Sequence, residues 1–400
     1  MSQKFNFPGG EGKTSGGKPL PLTGTPITET PIIARQEGAT LKKYSEHFIP
    51  GQEELAKDEM RITCLGSGAP NIRKGQSSAG WFVELGNGDK FVFDIGGGTV
   101  GNLWALEVPP NEVDKVFLTH LHIDHTGDLH PLLDAFGWGR FSPLKVWGPS
   151  GYTKEMGTAH FVDLMDQAAL WAYESKAGHV PSDGMKMEAH EIDMKSMTPE
   201  KLLALVYDEN GVKISTFPTN HLIYGAVAYR VDWEGLSFVF SGDSMPSEIM
   251  AEQAKEVDVL VHEVGPTPEV FSEKMHLPIE QAKSVIYGAH TPPDMLGVVL
   301  DKAKPKLGVG YHYYVNDDTI DPFYKSLRTT YKGDVALAQD LMVINLSQEQ
   351  IVTRMAKVDY LAWPAPSTGK YGKVAKTSEA KIPEWIRSKL IKPSVNKVNL

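Results

Sequence analysis

From position 61 onward the chain is built of short apolar runs separated by glycine-rich turns: RITCLG at 61–66, GWFVEL at 80–85 and KFVFDIGGG at 90–98. Runs of this length, rich in β-branched and aromatic residues, predict a strand meander. DKVFLTH at 114–120 predicts a further strand that runs into a cluster of histidines. The pattern then changes. Phe161, Leu164, Met165, Ala168, Ala169 and Trp171 recur at helical spacing, which predicts a helical insertion over 151–200 with a loose, methionine-rich continuation. Strands return at GVKISTFPTNH (211–221), AVAYRVDW (226–233), LSFVFSGDS (236–244) and DVLVHEV (258–264). Helices follow near 279–289 and 294–303, then the strand KLGVGYHYY at 306–314. Two β-rich halves bracketing a helical middle predict an α/β (α+β) chain with two packed sheets and helices outside, a four-layer αββα sandwich.

The flanks read differently. Residues 1–58 are rich in Gly, Pro, Thr and Lys with little periodicity and predict an extended N-terminal arm. The catalytic body is expected over 59–350, and a lysine-rich C-terminal extension over 351–400 contains IPEWIRSKLI (382–391), spaced as a short docked amphipathic helix. Arm and tail together hint at a homo-oligomer.

Composition narrows the function. A formal net charge of -10 is a poor footprint for a polyanion binder, which favours a small-molecule substrate and makes nucleic acid an unlikely partner. Cys64 is the one cysteine and lies in an apolar run, so neither a disulfide framework nor a cysteine metal cluster is expected. No apolar stretch approaches the roughly 18 residues that span a bilayer. The expectation is therefore a cytoplasmic protein without membrane contact, or a periplasmic one if a leader was removed.

The chemistry concentrates in LTHLHIDHTGDLHPLL (118–133), where His120, His122, Asp124 and His125 fall within one turn. On an extended segment alternate residues share a side, so His120 and His122 can hold one cation while the following turn swings Asp124 and His125 toward a second. The remaining ligands are sought at strand ends, where a sheet can aim them. His221, Asp243 and His312 stand just past such runs. Taken singly, each could equally be a capping or core residue.

These motifs resemble the metallo-β-lactamase superfamily, and within it the branch of ribonuclease Z and arylsulfatase-type hydrolases. The likeness rests on LGSGAPNIRKGQSSAGWFVEL, FDIGGGT, THLHIDHTGDL, VWGPSG, His221, FSGDS, VLVHE, HTPP at His290 and the final His312, in the family's order. It implies that His120, His122 and His221 hold one ion, Asp124, His125 and His312 the other, and that Asp243 bridges them. It also implies a catalytic part for Asp124 in orienting water and for His290 in protonating the leaving group, with Glu263 orienting His290. Two Zn²⁺ are expected, although the same donors accept manganese or iron.

A binuclear centre of this kind activates a bridging hydroxide, so the expected activity is zinc-dependent hydrolysis of a small ester, a sulfate or phosphate ester ahead of a lactone or carboxylic ester. The alternative is a tRNA 3′-end endonuclease of the ribonuclease Z type. The 151–200 segment weighs against it: four lysines and no arginine stand against nine acidic residues, where a tRNA clamp needs basic surface. Its methionines instead suit either an adaptable apolar lid or core packing. Ile123, where the branch commonly has glycine, is expected to narrow the floor of the site. Trp138, Trp147, Phe136 and Tyr313 are candidates for an aromatic pocket wall.

Overall fold

The computed structural model describes residues 24–391 except 37, 72, 370 and 375. Its strands, in chain order, are β1 (Ile27–Thr28), β2 (Ile32–Ala34), β3 (His47–Phe48), β4 (Met60–Gly66), β5 (Gly80–Leu85), β6 (Lys90–Ile95), β7 (Lys115–Phe117), β8 (Leu144–Pro149) and β9 (Met187–Ile192). The second half supplies β10 (Ala204–Glu209), β11 (Val212–Pro218), β12 (Val227–Trp233), β13 (Leu236–Phe240), β14 (Val259–Glu263), β15 (Leu307–Tyr311), β16 (Val335–Leu337), β17 (Met342–Leu346) and β18 (Gln350–Ala356). The helices used below are α1 (Thr99–Ala105), α2 (Ile123–Thr126), α3 (Leu129–Gly137), α4 (Thr158–Ala168), α5 (Leu170–Lys176), α6 (Glu248–Gln253), α7 (Pro268–Met275), α8 (Ile279–Ala289), α9 (Pro293–Ala303), α10 (Asp317–Leu327) and α11 (Glu384–Arg387).

One sheet has the order β2-β18-β17-β4-β5-β6-β7-β8-β9, with β3 also on β18, and the other β1-β16-β15-β14-β13-β12-β11-β10. Their inner faces meet over Trp81, Phe91, Phe93, Phe117, Tyr229, Phe238, Phe240 and Tyr311, all fully buried. A second core packs α1 and α3 on the outside of the first sheet, and a third packs α6, α9 and α10 on the outside of the other. Each sheet is thus apolar on both faces, which is why β5 and β14 carry consecutive apolar residues, Trp81 to Val83 and Val259 to Val261, rather than alternating ones. The four-layer sandwich is the observed architecture.

What positions the site is strand direction. β6, β7 and β8 run parallel in one sheet, and β13, β14 and β15 run parallel in the other. Loops leaving the carboxyl ends of parallel strands are where open sheets place ligands.

Several expectations are corrected at the edges. Within the described part of the arm, β1 adds to one sheet and β2 and β3 to the other, so this segment edges the sandwich. β18 lies inside the first sheet to Ala356, so the C-terminal extension begins later than 351. The methionine-rich stretch ends in β9, a sheet-edge strand, and Met185, Met187 and Met194 are buried in packing rather than held as a lid. The C-terminal helix is α11, a single turn with no buried residue, because its apolar positions find no facing groove. The first part of the arm, through residue 23, lies outside the described residues. Among the described residues, no helix is long and apolar enough to cross a membrane.

Candidate metal centre

Beyond β7 the chain bends at Thr119 and leads to His122, whose extended backbone makes it the N-cap of α2. This brings the Nε2 of His120 to 3.0 Å from the Nδ1 of His122. The Nε2 of His221, from the loop after β11, reaches the same Nδ1 at 3.2 Å. With Asp243 these residues offer donor atoms that all lie within 4.8 Å of one another. A second group at the same mutual spacing is Asp124, His125 and His312, and a third combines Asp243, His290 and His312.

Asp243 lies between the first two groups. Its Oδ2 is 3.6 Å from His221, whereas its Oδ1 is 3.2 Å from His125 and 3.5 Å from His312. The carboxylate thus turns one oxygen to each side. His312 also meets Asp124 at 3.1 Å. Apart from His122, which is exposed, and His290, which is half-buried, all these residues are buried. Two of their polar atoms, His125 Nε2 and Asp243 Oδ1, are buried without a hydrogen-bond partner. An orphaned imidazole nitrogen facing an orphaned carboxylate oxygen is costly unless a cation sits between them, so the donor set fits divalent metal. Burial pushes the Asp243 carboxyl up, but His312 and His125 hold it well below the usual range, in its ligand form.

The surrounding contacts orient these donors. His125 Nδ1 lies 2.6 Å from Asp94 at the end of β6, and Asp94 also accepts from the Thr119 amide and hydroxyl, each at 2.7 Å. The Thr119 hydroxyl in turn sits 3.1 Å from His120 Nδ1. His221 Nδ1 is 3.0 Å from the Ala289 carbonyl, which presents its other nitrogen to the site. His312 adopts the left-handed conformation at φ 66, and its amide donates to the Ser67 carbonyl at 2.8 Å. Ser67 is itself tied by amide and hydroxyl to Asp340. Gly242 precedes Asp243 at φ 57, where an added Cβ would lie 2.5 Å from Thr119, so only glycine lets this loop approach the histidine turn.

Sequence reasoning assigned no role to Asp94, Thr119, Ser67 or Asp340. FDIGGGT flagged the first, but a carboxylate that grips a histidine from behind is visible only once β6 and β7 are paired.

His290 caps α8 with its Nδ1 3.3 Å from Glu263, whose same oxygen accepts the Ser244 amide at 3.1 Å. Burial opposes a charge on His290, yet the Glu263 carboxylate raises its pKa to about 9. Other expectations fail here. Phe136, Trp147 and Tyr313 belong to the cores, Trp147 stacking on Phe117 at 4.6 Å, while Trp138 faces outward beside Lys176. They wall no pocket. Ile123 does not narrow the floor: it opens α2, and with Asp124 and His125 turned inward its side chain is left 78% exposed.

Comparison with known proteins agrees with this architecture. Residues 73–260 match the family described as the metallo-beta-lactamase superfamily. Ribonuclease Z of Mycobacterium marinum is 31% identical over 214 residues, covering 51% of this chain and 70% of that protein. Human tRNase Z, short form, superposes with a TM-score of 0.53 at 21% identity, over 71% of this chain and 98% of that one. The metallo-beta-lactamase fold protein YhfI from Bacillus subtilis gives 0.50 at 17% identity, over 72% and 100%. By sequence, by fold and by a donor cluster suited to metal, this chain is a hydrolase of the metallo-beta-lactamase superfamily.

Proposed function

We propose that the chain hydrolyses a phosphodiester in the manner of ribonuclease Z, at two cations held by His120, His122 and His221 on one side and Asp124, His125 and His312 on the other, with Asp243 shared. The observation that carries this reading is the split carboxylate of Asp243, whose oxygens face His221 and His125 separately. The relatives named ribonuclease Z support the endonuclease alternative over the small sulfate or phosphate ester favoured from sequence. Zinc is the favoured cation because neutral imidazoles and carboxylates suit it, with manganese and iron as arms of the test. When bound, such a pair supplies Lewis acidity and a water acidified toward neutrality.

The protein's own groups complete the chemistry. Asp124, fixed by His312, orients the attacking water. His290, kept protonated by Glu263, delivers a proton to the departing oxygen, which counts most for poor leaving groups. Burial pushes the Glu263 carboxyl up and the His290 charge pulls it back down, so each group holds the other's charge, with the same Glu263 oxygen also accepting from Ser244.

The test is metal-dependent cleavage of bis(p-nitrophenyl) phosphate and of a 3′-extended precursor tRNA at low salt, alongside aryl sulfate, phosphomonoester and lactone panels. Turnover of none of these with zinc, manganese or iron rejects the reading. A second reading, a small-ester hydrolase without RNA, is favoured by the acidic balance of the 151–200 segment around α4 and α5, which repels a polyanion. Cleavage of the small diester without the tRNA decides for it.

A further inference from the structure

We propose that the substrate carries an apolar group, aliphatic or aromatic, seated on a rim formed by Ile123, Leu222, Ile223 and Tyr224 with Tyr152 and Met156. This rests on the hydrolase reading above and specifies its substrate class.

Two of the loops that make the rim carry ligand residues of the centre, and a third, the turn after β8, packs against the second of them. Ile123 lies between His122 and Asp124, and Leu222 follows His221 directly. Gly225 closes the 222–225 loop against the turn after β8, where an added Cβ would lie 3.2 Å from the Ser150 carbonyl. Gly151 in that turn packs more tightly still on Met156, where an added Cβ would lie 2.5 Å away. Ile123, Leu222 and Ile223 are 78%, 62% and 63% exposed, and Tyr152, Met156 and Tyr224 are exposed beside them. Scattered surface apolar residues need no explanation, whereas a contiguous patch flanking a reactive centre marks a binding surface.

Leu222 strengthens the case. It sits in the left-handed region at φ 45, and the Ile223 amide folds back to the His221 carbonyl at 2.5 Å. A branched side chain there costs about 1–2 kcal/mol relative to glycine, and an exposed one recovers nothing from packing. A residue that serves neither the backbone nor the core is accounted for by contact with something that arrives. Charge points to what arrives: between 119 and 128, and between 219 and 226, there is no lysine or arginine, and the one lysine of the third segment, Lys154, is followed directly by Glu155, so the rim offers no phosphate track.

The experiment measures binding of a linear alkylphosphonate series, methyl to hexyl, to the metal-loaded protein by calorimetry, beside the turnover panels above. Kd is expected to fall about twofold per added methylene, roughly half the effect of full burial. In the double substitution Leu222→Asn, Ile223→Ser, the ratio of methyl to hexyl Kd should collapse to near unity; asparagine tolerates the left-handed backbone, so the fold is kept. A wild-type Kd independent of chain length overturns the inference, even where esters are turned over. A clear chain-length trend without turnover of any ester keeps the apolar rim and removes the hydrolase reading instead. A concentration-dependent dimer abolished by the same substitutions would assign the rim to a second copy of this chain and overturn the ligand assignment.

Discussion

The two sheets contribute to one centre in opposite ways. The first delivers His120, His122, Asp124 and His125 from a single turn after β7, backed at once by Thr119 and by Asp94 from the neighbouring strand. The second delivers His221, Asp243 and His312 one at a time, from loops after β11, β13 and β15, each fixed by a different device: the Ala289 carbonyl, the Gly242 approach to Thr119, and the Ser67 carbonyl. The local turn is a preformed half-site. The dispersed ligands depend on the whole sheet being assembled, so the second half should be the more sensitive to change in its supports, while the first should fail only when its ligands or Asp94 are touched.

The largest effect expected comes from the residue both halves share. Asp243→Ala should lower metal content below about two ions per chain and cut turnover by roughly a thousandfold or more. Elemental analysis beside the diester assay checks it, and unchanged metal stoichiometry would mean that the bridge is misassigned. Next is the support of the local turn. Asp94→Asn leaves the shape but removes the charge that grips His125 Nδ1, and should weaken metal affinity about 10–100-fold in a chelator competition. An equal loss from Ser67 or Asp340 variants, which reach the centre through His312, would show that the dispersed half is no more delicate than the turn.

The same contrast governs how much of the centre is legible in the amino-acid sequence. A ligand cluster within one turn stands out in a chain because four metal-type residues occupy neighbouring positions, and the helices around 279–289 and 294–303 announce themselves by period. His221, Asp243 and His312 are readable only as residues at strand ends, and it is the order of motifs that joins them. The supports are not readable at all: the Asp94 grip and the left-handed His312 are properties of pairing and backbone, not of residue type. β9 and β10 are hidden because these edge strands show neither an unbroken apolar run nor a regular alternation: MEAHEI carries Glu188, His190 and Glu191, and ALVYDE ends on Asp208 and Glu209. Ile123 misleads for a related reason, since adjacency in sequence to two ligands does not give the direction of a side chain one helical step away.

A smaller effect separates ligand from proton donor. His290 belongs by distance to a donor group with Asp243 and His312, yet its Nδ1 is engaged by Glu263. If it acts on the leaving group, His290→Ala should leave metal content intact and slow poor leaving groups by about 100-fold more than good ones. Loss of an ion from that variant would move His290 into the second half's ligand set and enlarge the dispersed side of the comparison.

The smallest effect distinguishes the centre from the scaffold beneath it. Glu59, just before β4, accepts from Lys42 and Tyr44 of the N-terminal segment, both at 2.7 Å, and from Asn345 of β17 at 2.6 Å. Burial pushes its carboxyl up, but these donors win and hold it below the ordinary 4.5. A carboxyl depressed in the folded state stabilises the fold fully above that ordinary value and loses its contribution as pH falls toward the lowered one. Imidazole must be neutral to hold a cation and is intrinsically a stronger base than a carboxylate, so protons displace the metal as pH falls. Acidification should therefore strip metal first and loosen the 24–58 segment only later. Glu59→Gln should flatten the second step, worth about 1 kcal/mol, without moving the first. Metal content and chemical denaturation followed across the same pH series read both steps, and their coincidence would mean that the centre and its scaffold are one cooperative unit.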